Sequence, residues 1–233
     1  MSTGNLYLIP VPIAEGIFET IPEEVRQHTL LIKHFFAEDV RTARRTLKAL
    51  HPALIIDELH FSEIDKHHGA DMKLLKSWLL TGYDVGIVSE AGCPGIADPG
   101  AELVAVAQAI DVTVIPLTGP NSVILALMAS GLNGQSFSFV GYLPVKEPAR
   151  SKRIHALEEL SAKEKQTQIF IETPYRNDVL LADLLKNCNK NTKLTIAQNI
   201  TSSNAFIKTR TIADWNKNKP ELGKSPAVFL ILT

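Results

Sequence analysis

The segment VSEAGCPGIADPG, from Val88 to Gly100, concentrates the residue types that let a backbone close around a small molecule. A β-branched run, Val85–Ser89, leads into three glycines and two prolines, and a helical pattern follows. Glycine permits positive φ or close approach to a ligand, and proline stiffens the loop. Such a loop at a strand's carboxyl end is where α/β sheets hold ligands. Glu90 could there meet a ribose hydroxyl, an ammonium or a sulfonium, or stand as a solvated carboxylate. Asp98-Pro99 also reads as a helix N-cap followed by proline at the first helical position. Cys93 has no activating histidine nearby and reads as a small loop residue rather than a nucleophile.

Three further segments carry chemistry of a weaker kind. TGPNSVILALMASGL, Thr118–Leu132, opens a helix at Asn121 or Ser122 whose first N–H groups are available to a polar ligand edge. FIETPYRN, Phe170–Asn177, repeats the strand–loop–helix pattern through Glu172, Thr173 and Pro174. In FFAEDVRTARRTLKALHP, the residues Arg41, Arg44, Arg45 and Lys48 recur at helical spacing opposite Ala43, Leu47 and Leu50. A basic stripe of this kind can contact successive phosphates, or be a solvated helix face. Lys146, Arg150, Lys152 and Arg153 form a second basic cluster. The pair His67-His68 has no evident third ligand, so no metal site is expected.

The elements that must position these residues alternate. Leu6–Pro10, Leu30–Phe36, Leu54–Asp57, Val85–Ser89 and Val112–Pro116 read as strands, and Pro22–His28, Thr42–Leu50, Ala70–Leu80 and Glu102–Ile110 as helices between them. That rhythm predicts a mostly parallel sheet with helices outside. Later strands at Phe137–Gly141, Gln168–Glu172, Lys193–Ile200, Ala205–Thr211 and Ala227–Leu232, with helices near Ala149–Leu160 and Arg176–Asn187, predict a mixed sheet. The expectation is therefore two α/β domains, residues 1–116 and 117–233, divided near PLTGP and holding a ligand in the cleft between them. No GxG occurs, which removes the dinucleotide fingerprint and the glycine-rich turn of ordinary Rossmann methyltransferases; no GxxxxGK[ST] occurs either.

With 24 lysines and arginines against 25 aspartates and glutamates, the chain has no global attraction to nucleic acid, so RNA contact must be local. Two cysteines without a CxxC pair suit a reducing cytoplasm. Neither a signal peptide at the N-terminus nor an apolar run of about 20 residues is expected.

Taken in order, LYLIPVPI, AEDVRTARR, VSEAGCPGIADPG, LTGPNSVILALMASGL, FVGYLP and FIETPYR resemble the tetrapyrrole-methylase superfamily. The series is most similar to its branch that 2′-O-methylates a cytidine of small-subunit ribosomal RNA. The resemblance implies two α/β domains, a homodimer, and S-adenosylmethionine held between the domains. By that resemblance the cofactor would touch Pro10 and Pro12, then Ser89, Glu90, Gly92, Cys93, Gly95 and Ile96, then Ser122, Glu172, Thr173 and Pro174. The sequence departs from the family in four places. The first loop reads Pro10-Val11-Pro12-Ile13-Ala14-Glu15 instead of an Ala-Thr-Pro-Ile-Gly-Asn type, and Glu58–Glu63 lacks a His-Glu-His-Asn-like pattern. Glu90 and Cys93 replace the usual aspartate and threonine, and the chain is shorter than the family at its C-terminus.

A ribose hydroxyl is a poor nucleophile at neutral pH, and Asp39 and Glu90 are the candidate bases. RNA would lie on Arg41, Arg44, Arg45 and Lys48. Two other readings remain: a methylase of a tetrapyrrole-like or other small molecule, and a protein that binds S-adenosylmethionine without turnover.

Overall fold

The computed structural model describes residues 2–65 and 67–233. It divides into two compact units, one ending at Asn121 and the other spanning Ser122–Thr233. The boundary expected after Pro116 coincides with the end of a strand.

In the first unit, β1 (Leu6–Ile9), β2 (His34–Ala37), β3 (His60–Glu63), β4 (Val85–Val88) and β5 (Val114–Pro116) form one sheet in the order β3-β2-β4-β1-β5. Every pairing is parallel. Helices α1 (Glu23–Leu31) and α2 (Val40–Leu50) share one core with Tyr7, Ile9, Phe35 and Val88. Helices α3 (Met72–Leu80) and α4 (Ala101–Ala109) share another with Leu6, Phe36, Val85 and Ile87. Successive strand side chains thus feed opposite faces, as a doubly covered parallel sheet requires.

Two strand expectations were displaced. Leu30 and Leu31 end α1, where Leu31 is 77% exposed, and the strand begins only at His34. Leu54–Asp57 is not a strand: Ile56–Glu58 is a 3-10 turn, and β3 follows at His60–Glu63. β3 is a sheet edge whose side chains are largely solvated, so it lacks the apolar run that marks the inner strands. The segment that departs from the family pattern is therefore mostly this edge strand.

In the second unit, β6 (Phe137–Tyr142), β7 (Thr167–Glu172), β8 (Lys193–Gln198), β9 (Phe206–Thr211) and β10 (Ala227–Leu232) pair in the order β6-β7-β10-β8-β9. Only the β6–β7 pairing is parallel, so the sheet is mixed as expected. Helices α6 (Ala149–Glu164), α7 (Asn177–Asn187) and α8 (Ile212–Lys217) cover one face over Phe170, Ile196 and Phe229. Helix α5 (Ser122–Ser130) lies against β9 and β10, where Thr209 Oγ1 donates to the Ser130 carbonyl at 2.7 Å. α8 carried no sequence expectation, being only six residues long.

Candidate functional site

Sheet order locates the first unit's ligand crevice. The chain leaves β1 toward α1 on one face and leaves β4 toward α4 on the other, although β1 and β4 are neighbours. Loops that part to opposite faces leave an opening beyond the carboxyl ends of their strands. Here the two loops also touch. Val11 N–H donates to the Gly92 carbonyl at 2.8 Å, and Gly92 N–H returns a bond to Val11 at 3.2 Å. Gly92 takes φ +73, which a side chain would strain. The segment after β5 closes in from the third side: a Cβ on Gly119 would lie 2.1 Å from Pro10 Cβ. Pro10, Pro12, Gly92 and Cys93 thus converge, while Ser89 is buried below them and Gly95 and Ile96 stand exposed farther along the loop.

Cys93 is structural in this arrangement. Its Sγ lies 3.4 Å from the Pro120 carbonyl, and burial pushes the thiol up, which disfavours the thiolate.

Asp98 departs from its expected role. α4 starts at Ala101 with Gly100 in the cap position, and no side chain caps it. Asp98 is instead half-buried in the loop, and its carboxyl is pushed up to about 6, first by burial and then by the carboxylates of Glu38 and Glu90. Glu38 follows β2 and Glu90 follows β4, so neighbouring strand ends bring three acids together. Like charges held in a partly dry site favour protonation or the arrival of a cation. Asp98 is the functional candidate that local sequence reasoning missed. Its signal was the motif's composition, and a cap reading explained that equally well.

Asp39 does something different. It is the N-cap of α2, accepting from Thr42 N at 2.5 Å, and the hydrogen bonds from Thr42 with the charges of Arg45 and Arg41 hold its carboxyl below the ordinary range. Of the basic stripe, Arg44 pairs with Asp57 at 2.7 Å, Lys48 donates to the Leu54 carbonyl at 2.9 Å, and Arg45 donates to Thr42 Oγ1 at 3.2 Å. Arg41 is exposed on the same helix. The second basic cluster loses a member: Arg150 is buried and paired with Asp183 at 2.5 Å, leaving Lys146, Lys152 and Arg153 exposed.

The second unit has its own strand–loop–helix site after β7. Glu172 is buried, and its Oε1 accepts from Thr173 N at 2.6 Å, Arg176 Nε at 3.0 Å and Arg176 Nη2 at 2.6 Å. The carboxylate is thus turned into its own loop, and Thr173 and Pro174 are the parts left partly accessible. Ser122 opens α5 and is partly exposed. Among the described residues, no group of three His, Cys, Asp or Glu side chains is placed to hold a metal ion, and no helix is long and apolar enough to cross a membrane.

No protein-family model matches the chain. Three proteins, each named ribosomal RNA small subunit methyltransferase I, are similar to it over most of its length. The one from Vibrio cholerae is 31% identical over 229 residues, covering 97% of this chain and 76% of that protein. The one from Synechocystis is 34% identical, covering 85% and 67%, and the one from Micromonospora olivasterospora is 37% identical, covering 78% and 55%. Among solved structures, the methyltransferase CobJ superposes with a TM-score of 0.62 at 16% identity, over 99% of this chain and 95% of that one. Diphthine synthase gives 0.69 at 12% identity, over 99% and 90%; at these identities the likeness is one of fold. The chain belongs to the ribosomal RNA small subunit methyltransferase I family and has the tetrapyrrole-methylase fold.

Proposed function

We propose that the protein transfers a methyl group from S-adenosylmethionine to the 2′-hydroxyl of a cytidine ribose in small-subunit ribosomal RNA. The observation that carries this reading is the Val11–Gly92 pairing beside the Glu38, Glu90 and Asp98 carboxylates. It combines a stiff, side-chain-poor crevice with acids near Asp98, and those residues suit a donor that is a cation. When bound, S-adenosylmethionine supplies an electrophilic methyl group on a positively charged sulfur.

The chain's own residues then have limited work. Pro10–Pro12 and Ser89–Ile96 hold and orient the donor in the first unit. Displacement at a methyl carbon requires donor and acceptor in line at roughly 3–3.5 Å, so positioning supplies most of the rate. A base helps remove the hydroxyl proton, and its best pKa lies near the working pH. Asp98, raised to about 6, suits that task better than Asp39, whose carboxylate caps α2. Glu90, exposed at the end of β4, is the second candidate. RNA is held by the exposed cations of α2. The working molecule is a homodimer in the cytoplasm.

The test is incubation of the full chain with methyl-tritiated S-adenosylmethionine and small ribosomal subunits that lack the modification. Alkali-stable label in RNA, where a ribose methyl blocks cleavage, is the expected result. Label in a metabolite pool and none in RNA would transfer the assignment to the small-molecule reading. Donor binding without label anywhere would favour a protein without turnover.

A further inference from the structure

We propose that a depression on α2 receives the base of one unpaired ribonucleotide while the surrounding cations hold its phosphates. This rests on the RNA reading above and specifies what form of RNA is bound. The depression has a volume of about 460 Å³ and is bounded by Arg44, Arg45, Lys48, Ala49 and Ile56. It is shallow and open to solvent, a shape that can receive one flat ring laid on it rather than enclose a ligand.

Its chemistry is divided. Three cations form the rim and no acid lines the wall, whereas Ala49, Ile56 and the alkyl stems of the basic side chains form an apolar floor. A site for phosphate alone has no use for such a floor. A nucleotide has both parts: a flat π-face for apolar and guanidinium surfaces, and phosphates for the charges. The base must be unpaired, because a duplex buries both of its faces in the stack.

The cations are ordered but lightly held. Arg44 leans on Asp57, whose side chain is 90% exposed, and on the Phe61 ring at 6.0 Å; Lys48 donates to the Leu54 carbonyl, and Arg45 donates to Thr42 Oγ1 and faces the Asp39 carboxylate. An exposed ion pair of this kind contributes little, so a phosphate can take its place at small cost. Arg44 and Lys48 lie one turn apart, about 6 Å along the helix, so both can serve neighbouring phosphates. Lys48 lies about 13 Å along the helix from the Asp39 cap, at a rise of 1.5 Å per residue. The depression acts on RNA affinity rather than on the methyl-transfer step.

The experiment measures binding of the whole chain to three fluorescent probes at low salt: a short single-stranded RNA, the same strand with abasic riboses, and an RNA duplex of equal length. Stacking of one base predicts about ten-fold tighter binding of the base-bearing strand than of the abasic one. Ala49→Trp fills the floor from an exposed helix position and leaves every cation in place. It is expected to bring the two single strands to equal affinity with an unchanged salt slope. Asp57→Asn should tighten all three probes two- to three-fold by releasing Arg44. Equal binding of all three probes by the unaltered protein would overturn the base pocket but keep the RNA reading. So would a preference that survives both Ala49→Trp and Ala49→Leu in variants whose circular dichroism is native. Binding of none of the probes would sink both readings.

Discussion

The loops after β4 and β7 follow the same plan, strand into loop into helix, and treat their carboxylates in opposite ways. After β7, Glu172 is buried and its Oε1 is satisfied by Thr173 and by Arg176, so the loop is held by side-chain chemistry it carries itself. After β4, the loop is held through its backbone, by Val11 against Gly92, with Gly119 pressed on Pro10 beside it, while burial and the acids Glu38 and Glu90 push the Asp98 carboxyl up. A buried charge with its partner adds rigidity, whereas acids beside a half-buried carboxyl favour its protonated form or the approach of a cationic ligand. The loop after β7 thus ties one oxygen of its carboxylate to its own chain and buries the other without a hydrogen bond, whereas the loop after β4 offers its acids to something positive.

Four substitutions break or sharpen this contrast, in falling order of effect. Gly119→Ala sets a methyl group 2.1 Å from Pro10 Cβ and forces the backbone-held loops apart. It should cost about 3 kcal/mol, the upper range for overpacking, and should abolish donor binding. Urea unfolding and calorimetry read the two effects. Glu172→Ala removes the hydrogen bonds of the other loop and should cost roughly 1.5–3 kcal/mol, the range for bonds to a charged group. A near-native denaturation midpoint for that variant would end the claim that side chains hold this loop.

Asp98→Asn tests the crowding directly. A carboxyl raised to about 6 from an ordinary value near 3.8 binds its proton more tightly in the folded chain than in the unfolded one. Its contribution is therefore nil below about pH 4, turns against folding as pH rises from about 4 to 6, and stays unfavourable above that window. The variant should melt higher than the unaltered protein at pH 8 and at the same temperature below pH 4. Donor affinity of the unaltered protein should rise through pH 6, and the variant should show weaker binding without that rise. A pH-independent affinity in the unaltered protein would contradict the electrostatic account. Cys93→Ser should be the mildest change, within about 1 kcal/mol, because a hydroxyl can also donate to the Pro120 carbonyl. Methyl transfer by this variant should persist, which removes the thiol from the chemistry.

Local pattern was enough to find most elements. The buried strands β1, β4, β7 and β10 stand out as apolar runs, and α2 as a helix with an apolar stripe of Ala43, Leu47 and Leu50. Edge position hid β3, since a strand solvated on its outer side needs no apolar code. Charge pattern misled at Arg150: its spacing among other cations looked like a surface patch, but Asp183 on α7 draws it inward. Asp98 shows the same ambiguity at the site, because a carboxylate before a proline and a helix has the composition of a cap.

By itself, the sequence determined the alternation of strands and helices, the stiff loops and the family, because each depends on neighbours within one element or on motifs in fixed order. Tertiary structure alone decided that Gly92 would meet Val11, that Gly119 would press on Pro10, and that burial, then Glu38 and Glu90, would raise Asp98. Those contacts join residues far apart in the chain, and parallel strand order, which no local spacing encodes, sets which loop ends become neighbours.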